Sequence, residues 1–144
     1  MNVYFACSIT GGRQDELVYQ KLVATLEQKG HQVPTALLAS PDVMPLEGVT
    51  SAEEVYERDI RWITDCDFLL AEVSTPSHGV GYEIGYALAL GKRVLCLYHT
   101  GRKVSKMILG NPHPQLTIHS YDSPEQAVHL LSTYLENITQ SEAR

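Results

Sequence analysis

The chain has 144 residues, of which 44% are hydrophobic and 19% are charged, and this length suits one compact domain rather than two. Its 11 basic residues stand against 17 acidic ones, and the formal net charge of −6 argues against a protein that binds nucleic acid by neutralising phosphates. No apolar run approaches the roughly 18 residues of a membrane span, so we expect no membrane association. Three cysteines without C-x-x-C spacing, Cys7, Cys66 and Cys96, predict reduced core thiols in a cytoplasmic protein, with nuclear entry left open.

Strand-like and helix-like patterns alternate along the chain. Short apolar or β-branched runs predict strands at 3–7, 68–73, 93–98 and 116–119, with a further extended piece at 32–38. Helical periodicity and capping residues predict helices at 16–29, 52–64, 80–90 and 104–109, and a last helix from Pro124. Loops are expected at 40–50 and 74–79, and a frayed tail over 136–144.

This alternation predicts a single α/β domain that takes up the whole chain. Right-handed crossovers between the strands give a small doubly wound, Rossmann-like or flavodoxin-like, parallel five-stranded sheet with helices on both faces. In such sheets the ligand crevice lies beyond the carboxyl ends of the strands. The segments that follow the strands are therefore where a site is expected.

Three of these segments are rich in glycine and hydroxyl side chains. They are Tyr4 with 8–13, then 74–83, and then 99–105. Backbone amides at helix starts attract anions, so a phosphate is the expected ligand group, although ordinary turn geometry explains the glycines equally well. The glycine spacing at 79–85 does not fit a dinucleotide fingerprint, and the six scattered histidines offer no metal set, so neither a cofactor nor a metal is predicted.

Two carboxylates stand out near this edge of the sheet. Glu83 lies three residues into the predicted helix 80–90 among apolar neighbours, where partial burial would suit a nucleophile or base, although an acid in a first turn also serves simply as a dipole partner. Asp59 precedes Ile60 and Trp62, which suggests an inward face, while the acidic residues around it favour a solvated one. Two carboxylates beside a phosphate-binding turn suggest cleavage of a glycosidic bond.

Five stretches of the chain carry a resemblance to a known family. They are 4–13 (YFACSITGGR), 59–62 (DIRW), 71–85 (AEVSTPSHGVGYEIG), 91–97 and 105–108. In order and spacing they resemble the nucleoside 2-deoxyribosyltransferase superfamily, and most closely its 2′-deoxynucleoside 5′-phosphate N-hydrolase branch. The resemblance covers most of the chain, and the segment 31–50 matches poorly.

The resemblance implies a catalytic role for three residues. Glu83 matches the nucleophile that attacks C1′ and forms a deoxyribosyl ester, which water then hydrolyses. Asp59 matches the acid that serves the departing base, and Tyr4 matches the tyrosine that orients the nucleophile. A retaining course through two steps follows from this assignment.

The resemblance also implies a set of substrate-binding residues. Ser77, with the backbone around Gly79 and Gly81, matches the cradle of the 5′-phosphate. Ser105 matches a serine that reaches the phosphate in the neighbouring subunit's site, which implies a homodimer. The other members follow the first strand: Ser8, Ile9, Thr10, Gly11 and Arg13. Thr10 stands where these hydrolases often carry a basic residue, and Arg13 would compensate for it.

The sequence leaves four functions open. The first is hydrolysis of 2′-deoxynucleoside 5′-monophosphates to free base and 2-deoxyribose 5-phosphate. A transferase would use the same ester and pass the sugar to another base, and a ribonucleotide N-glycosidase would accept a 2′-hydroxyl. A nucleotide-sensing module would keep the fold without turnover.

Overall fold

The computed structural model describes residues 1–9, 14–41, 48 and 50–144, and within these residues it contains a four-stranded parallel sheet. The strands lie side by side in chain order: β1 (Val3–Ala6), β2 (Phe68–Glu72), β3 (Arg93–His99) and β4 (Leu116–Tyr121). Every residue of β1 and β2 is buried, as expected for parallel strands covered on both faces. The register aligns Tyr4 with Leu69 and Leu69 with Val94.

Helices follow the strands in alternation. They are α1 (Glu16–Gln28), α2 (Ala52–Asp65), α3 (His78–Ala89), α4 (Lys106–Leu109) and α5 (Pro124–Glu142). Four of them begin at a serine whose side chain accepts a hydrogen bond from an amide of the first turn: Ser51, Ser77, Ser105 and Ser123. Such N-caps satisfy amides that have no partner inside the helix, and they fix where each helix begins.

The two faces of the sheet bury separate apolar clusters. On one face Phe5 and Leu95 pack with Leu22 of α1 and Leu131 of α5. On the other face the cluster contains Tyr4, Ala6 and Leu69 of the sheet, Ile63 of α2, and Val80 and Ile84 of α3. Because strand side chains alternate between faces, β1 turns Tyr4 towards α2 and α3 while Phe5 faces α1. The doubly wound α/β architecture predicted from the sequence is confirmed.

The predicted fifth strand at 32–38 is reduced to one bridge. Asn2 pairs with Gln32 in parallel, and the Val3 amide donates to the Gln32 carbonyl at 2.8 Å. Pro34 has no amide hydrogen to extend a ladder, and the next amide of the β1 edge, that of Phe5, donates to the Thr35 hydroxyl at 2.8 Å. A 3₁₀ helix, Ala36–Ala39, follows immediately. The bridge lies on one side of β1, and β2 lies on the other side. The chain therefore changes direction across the sheet between β1 and β2, and a ligand crevice is expected at such a point.

The frayed tail predicted over 136–144 is largely helical. α5 continues to Glu142, whose carboxylate lies 3.0 Å from Nη1 of Arg93. Leu131, Leu135 and Ile138 repeat at helical spacing and are buried, so the apolar stripe of α5 reaches further than its polar composition suggests.

Some of the predicted site and loop residues are not described by the structure. Thr10, Gly11 and Arg13, and most of the predicted loop 40–50, lie outside the described residues. All three cysteines are buried, as expected. Within the described ranges, no helix is long and apolar enough to cross a bilayer, and no cluster of three or more His, Cys, Asp or Glu side chains is placed to hold a metal.

Candidate active site

A tyrosine and a glutamate form the centre of the candidate site. The Tyr4 hydroxyl, on β1, donates a hydrogen bond to Oε2 of Glu83, on α3. Tyr4 is almost fully buried, and this burial raises its pKa; the neighbouring charges of Glu83 and Asp59 raise it further. The phenol therefore stays protonated and remains a hydrogen-bond donor to the carboxylate. This contact fixes the orientation of the Glu83 side chain.

Glu83 lies in the second turn of its helix. The sequence predicts a start at Val80, but α3 begins at His78 because the Ser77 hydroxyl accepts a hydrogen bond from the Val80 amide at 3.3 Å. The first turn contains no acidic residue, so the interpretation of Glu83 as a first-turn dipole partner is wrong. A half-buried carboxylate held by a buried phenol is instead typical of a chemical role.

Gly79 lies between the carboxylate and the capping hydroxyl. A Cβ at this position would be 3.7 Å from Oε1 of Glu83 and 3.9 Å from Oγ of Ser77. Both distances are ordinary van der Waals contacts, and they show that Gly79 lies beside both groups. Gly81 lies two residues before Glu83, about 200° around the helix, and so on the opposite face. Of the two predicted cradle glycines, only Gly79 shares a face with the carboxylate.

Asp59 approaches the same tyrosine from α2. Its side chain is only 20% exposed, and its charge acts on the Tyr4 hydroxyl, which favours the inward-facing interpretation of the sequence. Nε of Arg58 lies 2.9 Å from Oδ1 of Asp59, and the Arg58 guanidinium lies 4.9 Å from the centre of the Trp62 ring. The arginine is thus held by an ion pair and by a cation–π contact. The sequence analysis missed Arg58, although its position directly before the candidate acid was a usable signal.

The remaining predicted binding residues are spread along the same edge. Ser8 is fully buried just after β1, and Ile9 packs against the α1-side core. Ser105 caps α4, its Oγ accepting from the Met107 amide at 3.2 Å. Ser77 and Ser105 both border a groove of about 940 Å³ between α3 and α4. Among the described residues that line this groove Glu83 is absent, so the groove lies beside the carboxylate pair and not over it.

The sequence analysis identified Glu83 and Asp59 but did not identify a third acidic residue, Glu72. Glu72, the last residue of β2, is completely buried under the segment that connects β2 to α3. The signal was present in the sequence, because a charged residue inside an otherwise apolar strand needs hydrogen-bond partners in the interior. Its contacts are described below.

Comparison with known proteins identifies the family of the chain. Residues 3–130 match the family model described as nucleoside 2-deoxyribosyltransferase. A 5-hydroxymethyl-dUMP N-hydrolase from Danio rerio is 37% identical over 144 residues, covering 98% of this chain and 100% of that protein. An archaeal protein from Methanococcoides burtonii, provisionally named 2′-deoxynucleoside 5′-phosphate N-hydrolase 1, is 37% identical over 118 residues, or 82% of this chain and 97% of that one.

A solved structure supports the same fold. The CMP N-glycosidase of Clostridium botulinum superimposes with a TM-score of 0.70 at 22% identity, covering 92% of this chain and 98% of that one. The family model covers residues 3–130, and the relative from Danio rerio aligns with 98% of this chain. The protein therefore belongs to the nucleoside 2-deoxyribosyltransferase family.

Proposed function

We propose that the protein hydrolyses the N-glycosidic bond of 2′-deoxynucleoside 5′-monophosphates and releases free base and 2-deoxyribose 5-phosphate. The chain is an N-glycosidase: relatives that it matches over most of their length are named as N-hydrolases of deoxynucleotides. The observation that carries the proposal is the Glu83 carboxylate, oriented by the buried Tyr4 hydroxyl and approached by Asp59. This pairing of a held carboxylate with a second acid is the arrangement that glycosidic cleavage needs.

In the first step a carboxylate oxygen of Glu83 attacks C1′ of the sugar. The C1′–N bond breaks, its electron pair leaves with the base, and the base takes a proton from Asp59. The product is free base and a deoxyribosyl ester of Glu83. Because the sugar lacks a 2′-oxygen, C1′ supports oxocarbenium character well, and one positioned carboxylate suffices.

In the second step water attacks C1′ of the ester. Asp59, now a carboxylate, accepts a proton from the water, the ester C–O bond breaks, and Glu83 regains its charge. Two displacements at C1′ retain its configuration. Tyr4 keeps one oxygen of Glu83 in place throughout, which limits the geometries from which attack is possible.

Arg58 pairs with Asp59 in its carboxylate form. Its guanidinium lies 2.9 Å from Oδ1, and this ion pair corresponds to the form of Asp59 that results when the proton passes to the base. The same contact holds the Asp59 side chain against α2, and the Trp62 ring supports the arginine from the other side.

The phosphate end of the substrate is assigned to Ser77. Its Oγ accepts from the Val80 amide, so its own hydroxyl hydrogen is left to donate to a phosphate oxygen. The position at the start of the twelve-residue helix α3 adds a favourable dipole for an anion. A nucleoside without phosphate leaves such donors unused and binds more weakly.

We propose further that two copies of the chain pair through the groove between α3 and α4. Three large apolar side chains that border it are exposed: Met107 at 84%, Tyr82 at 56% and Leu109 at 46%. A second copy would cover them and bring its Ser105 towards the Ser77 end of the neighbouring site. Light scattering should report a dimer, and Met107→Glu should yield monomers with weakened nucleotide use.

Cytoplasmic residence belongs to the same proposal, with the nucleus as the alternative. Three buried thiols are typical of a reducing compartment. Nucleic acid is not expected as a partner, since the net charge is negative. Fractionation of cells that express the chain would show which compartment holds it.

The test is chromatography of the products formed from a panel of 2′-deoxynucleoside 5′-monophosphates, their nucleosides and the matching ribonucleotides, each with and without a foreign base. We expect free base from the deoxynucleotides and no new nucleotide. The family description favours one second candidate, a transferase, which would produce a new nucleoside or nucleotide when the foreign base is added. Absence of base release from every substrate would contradict both and favour a sensing module.

A further inference from the structure

A buried carboxylate, that of Glu72, lies under the segment that connects β2 to α3 and carries Ser77. Glu72 is fully inaccessible, and it accepts hydrogen bonds from the Ser74 amide, from the Ser74 hydroxyl at 3.1 Å and from the Tyr121 hydroxyl at 2.6 Å. Burial raises the pKa of the Glu72 carboxyl above its usual value, and the bonds from Tyr121 and Ser74 only partly offset this. The Ser74 amide can only donate, and each of the two hydroxyls has a hydrogen to donate, so the three contacts suit a carboxyl group that accepts.

These bonds join the carboxyl ends of three neighbouring strands. Glu72 ends β2 and Tyr121 ends β4, on either side of β3. The Ser74 Oγ, which donates to Glu72, also accepts from the amide of His99, the last residue of β3, at 2.7 Å. One carboxylate thus ties the start of the β2–α3 connection to both other strands.

The next residue of the connection is held from the opposite side. The Thr75 hydroxyl donates to Oδ2 of Asp15 at 3.2 Å, and Nη2 of Arg102 donates to Oδ1 of the same carboxylate at 2.9 Å. Nη1 of Arg102 reaches the Ser74 carbonyl at 3.4 Å. Asp15 is itself buried, so this ion pair is shielded from solvent on its acidic side. Ser74 and Thr75 are therefore fixed in position just before Pro76 and Ser77.

We propose that Glu72 is a positioning residue for the phosphate end of the substrate: by holding Ser74 it sets where Ser77 and the first turn of α3 lie relative to the Glu83 carboxylate. This inference rests on the proposed role of Ser77 as a phosphate donor. Displacement of a binding group by about 1 Å is enough to cost a large factor in activity. A bond made to Ser74, three residues before Ser77, can therefore affect substrate binding. The hydrogen bonds of Glu72 lead to Ser74 and Tyr121, so its effect on Ser77 passes along the chain from Ser74.

Glu72→Gln tests the charge with almost no change in volume. Glutamine offers one acceptor oxygen, and its NH₂ group would face at least one of the three donors, so part of the network must open. Tyr121→Phe removes a single donor and leaves the carboxylate in place. Tyr134→Phe is the matched control, because Tyr134 packs against Phe68 on the α1 side, away from the connection.

The experiment measures KM and kcat for a 2′-deoxynucleoside 5′-monophosphate in a double-mutant cycle with Ser77→Ala. We expect Glu72→Gln to raise KM by about tenfold while kcat changes by less than about threefold, and Tyr121→Phe to act in the same direction but less strongly. In the Ser77→Ala background Glu72→Gln should add less than about twofold, because the group through which it acts is already gone. Tyr134→Phe should leave KM and kcat unchanged.

Two results would overturn the inference alone. One is a KM that Glu72→Gln and Tyr121→Phe leave unchanged while Ser77→Ala raises it. The other is an equal rise in KM with and without Ser77, which would mean that Glu72 merely supports the fold. If Ser77→Ala itself leaves KM unchanged, the phosphate assignment fails and this inference fails with it. Should Glu72→Gln not fold, the cycle is run with Tyr121→Phe, and the same outcomes decide.

Discussion

At the scale of single residues, the proposed mechanism depends most on the hydrogen bond between Tyr4 and Glu83. The phenol cannot ionise under ordinary conditions, since burial and two carboxylates raise its pKa. It therefore acts as a fixed donor, and its contribution is the orientation of Glu83, the carboxylate that we propose attacks C1′.

Tyr4→Phe removes this donor and preserves the ring. A hydrogen bond to a charged acceptor contributes roughly 1.5–3 kcal/mol, so we expect kcat to fall by about ten- to a hundredfold if the bond is kept in the transition state. Steady-state rates of base release measure the effect. Tyr134→Phe provides the control for a lost phenol elsewhere, and a Tyr4→Phe rate equal to that of the wild type would show that Glu83 needs no such guide.

Arg58 is the residue beside the site that the sequence analysis overlooked. Arg58→Ala removes the guanidinium from Asp59 and from the Trp62 ring, so Asp59 loses its anchor on α2. We expect kcat to fall by about tenfold, equivalent to about 1.4 kcal/mol, with little change in the melting temperature. Arg61→Ala, on an exposed position of the same helix, should leave the rate unchanged. Equal rates for both variants would separate Arg58 from the chemistry.

Sequence reasoning singled out Glu83 and Asp59, but it overlooked Arg58 beside Asp59 and Glu72, which is bonded to Ser74. Glu83 was recognisable because its immediate neighbours are apolar, and Asp59 because Ile60 and Trp62 follow it; the motifs around both residues resemble a family. Glu72 was not, because one of its partners is distant in the chain: Tyr121 lies 49 residues after Glu72. A local pattern shows that a buried charge needs a partner, but it does not show which distant residue provides it. Arg58 was overlooked although its partners, Asp59 and Trp62, are local.

At the scale of secondary-structure elements, the start of α3 decides the geometry of the site. The predicted start at Val80 was two residues late because the cap at Ser77 was assigned to the preceding loop. The real start shifts Glu83 into the second turn and makes one hydroxyl serve both as the helix cap and as the candidate phosphate donor.

Two capping serines allow these roles to be separated. Ser77 accepts from the Val80 amide at 3.3 Å, and Ser123 accepts from the Gln126 amide at 3.1 Å at the start of α5. We expect Ser77→Ala and Ser123→Ala each to lower the free energy of unfolding by about 1 kcal/mol in denaturant titrations. Only Ser77→Ala should raise KM for a deoxynucleoside monophosphate. A similar rise in Ser123→Ala would mean that stability, and not phosphate binding, controls KM.

Elements were predictable to different degrees for physical reasons. The central strands were clear because a sheet covered on both faces demands continuous apolar runs, as in β2 and β3. The edge piece at 32–38 was not, because the Thr35 hydroxyl replaces a backbone partner of β1 and ends the pairing after one bridge. The length of α5 was underestimated, since the burial of Ile138 depends on its tertiary neighbours.

At the scale of the whole molecule, two apolar clusters on opposite faces of the sheet hold the site in place. Because Tyr4 belongs to the α2–α3 cluster and β1 also contributes Phe5 to the α1–α5 cluster, the position of the phenol depends on both cores. The active site is thus supported by the entire sheet and not by one loop.

The reactivity of the three buried cysteines measures how readily these cores open. Burial raises the pKa of Cys66 to about 11 and that of Cys96 to about 12, so both stay protonated thiols at neutral pH. Because the thiolate is the reactive form, the native protein should react with a disulfide reagent at pH 8 far more slowly than the unfolded chain, which should titrate three thiols. Rapid modification of all three in the native protein would show that the cores open easily.

Glu83 is the residue that we propose attacks the sugar. The test of this role is the rate at which base is released from a 2′-deoxynucleoside 5′-monophosphate by the wild type, by Glu83→Ala and by Glu136→Ala, which changes an exposed glutamate of α5. We expect Glu83→Ala to lose at least about a thousandfold in kcat while still binding the nucleotide, and Glu136→Ala to match the wild type. A Glu83→Ala variant that folds, binds the nucleotide and releases base at the wild-type rate would show that Glu83 is not the nucleophile.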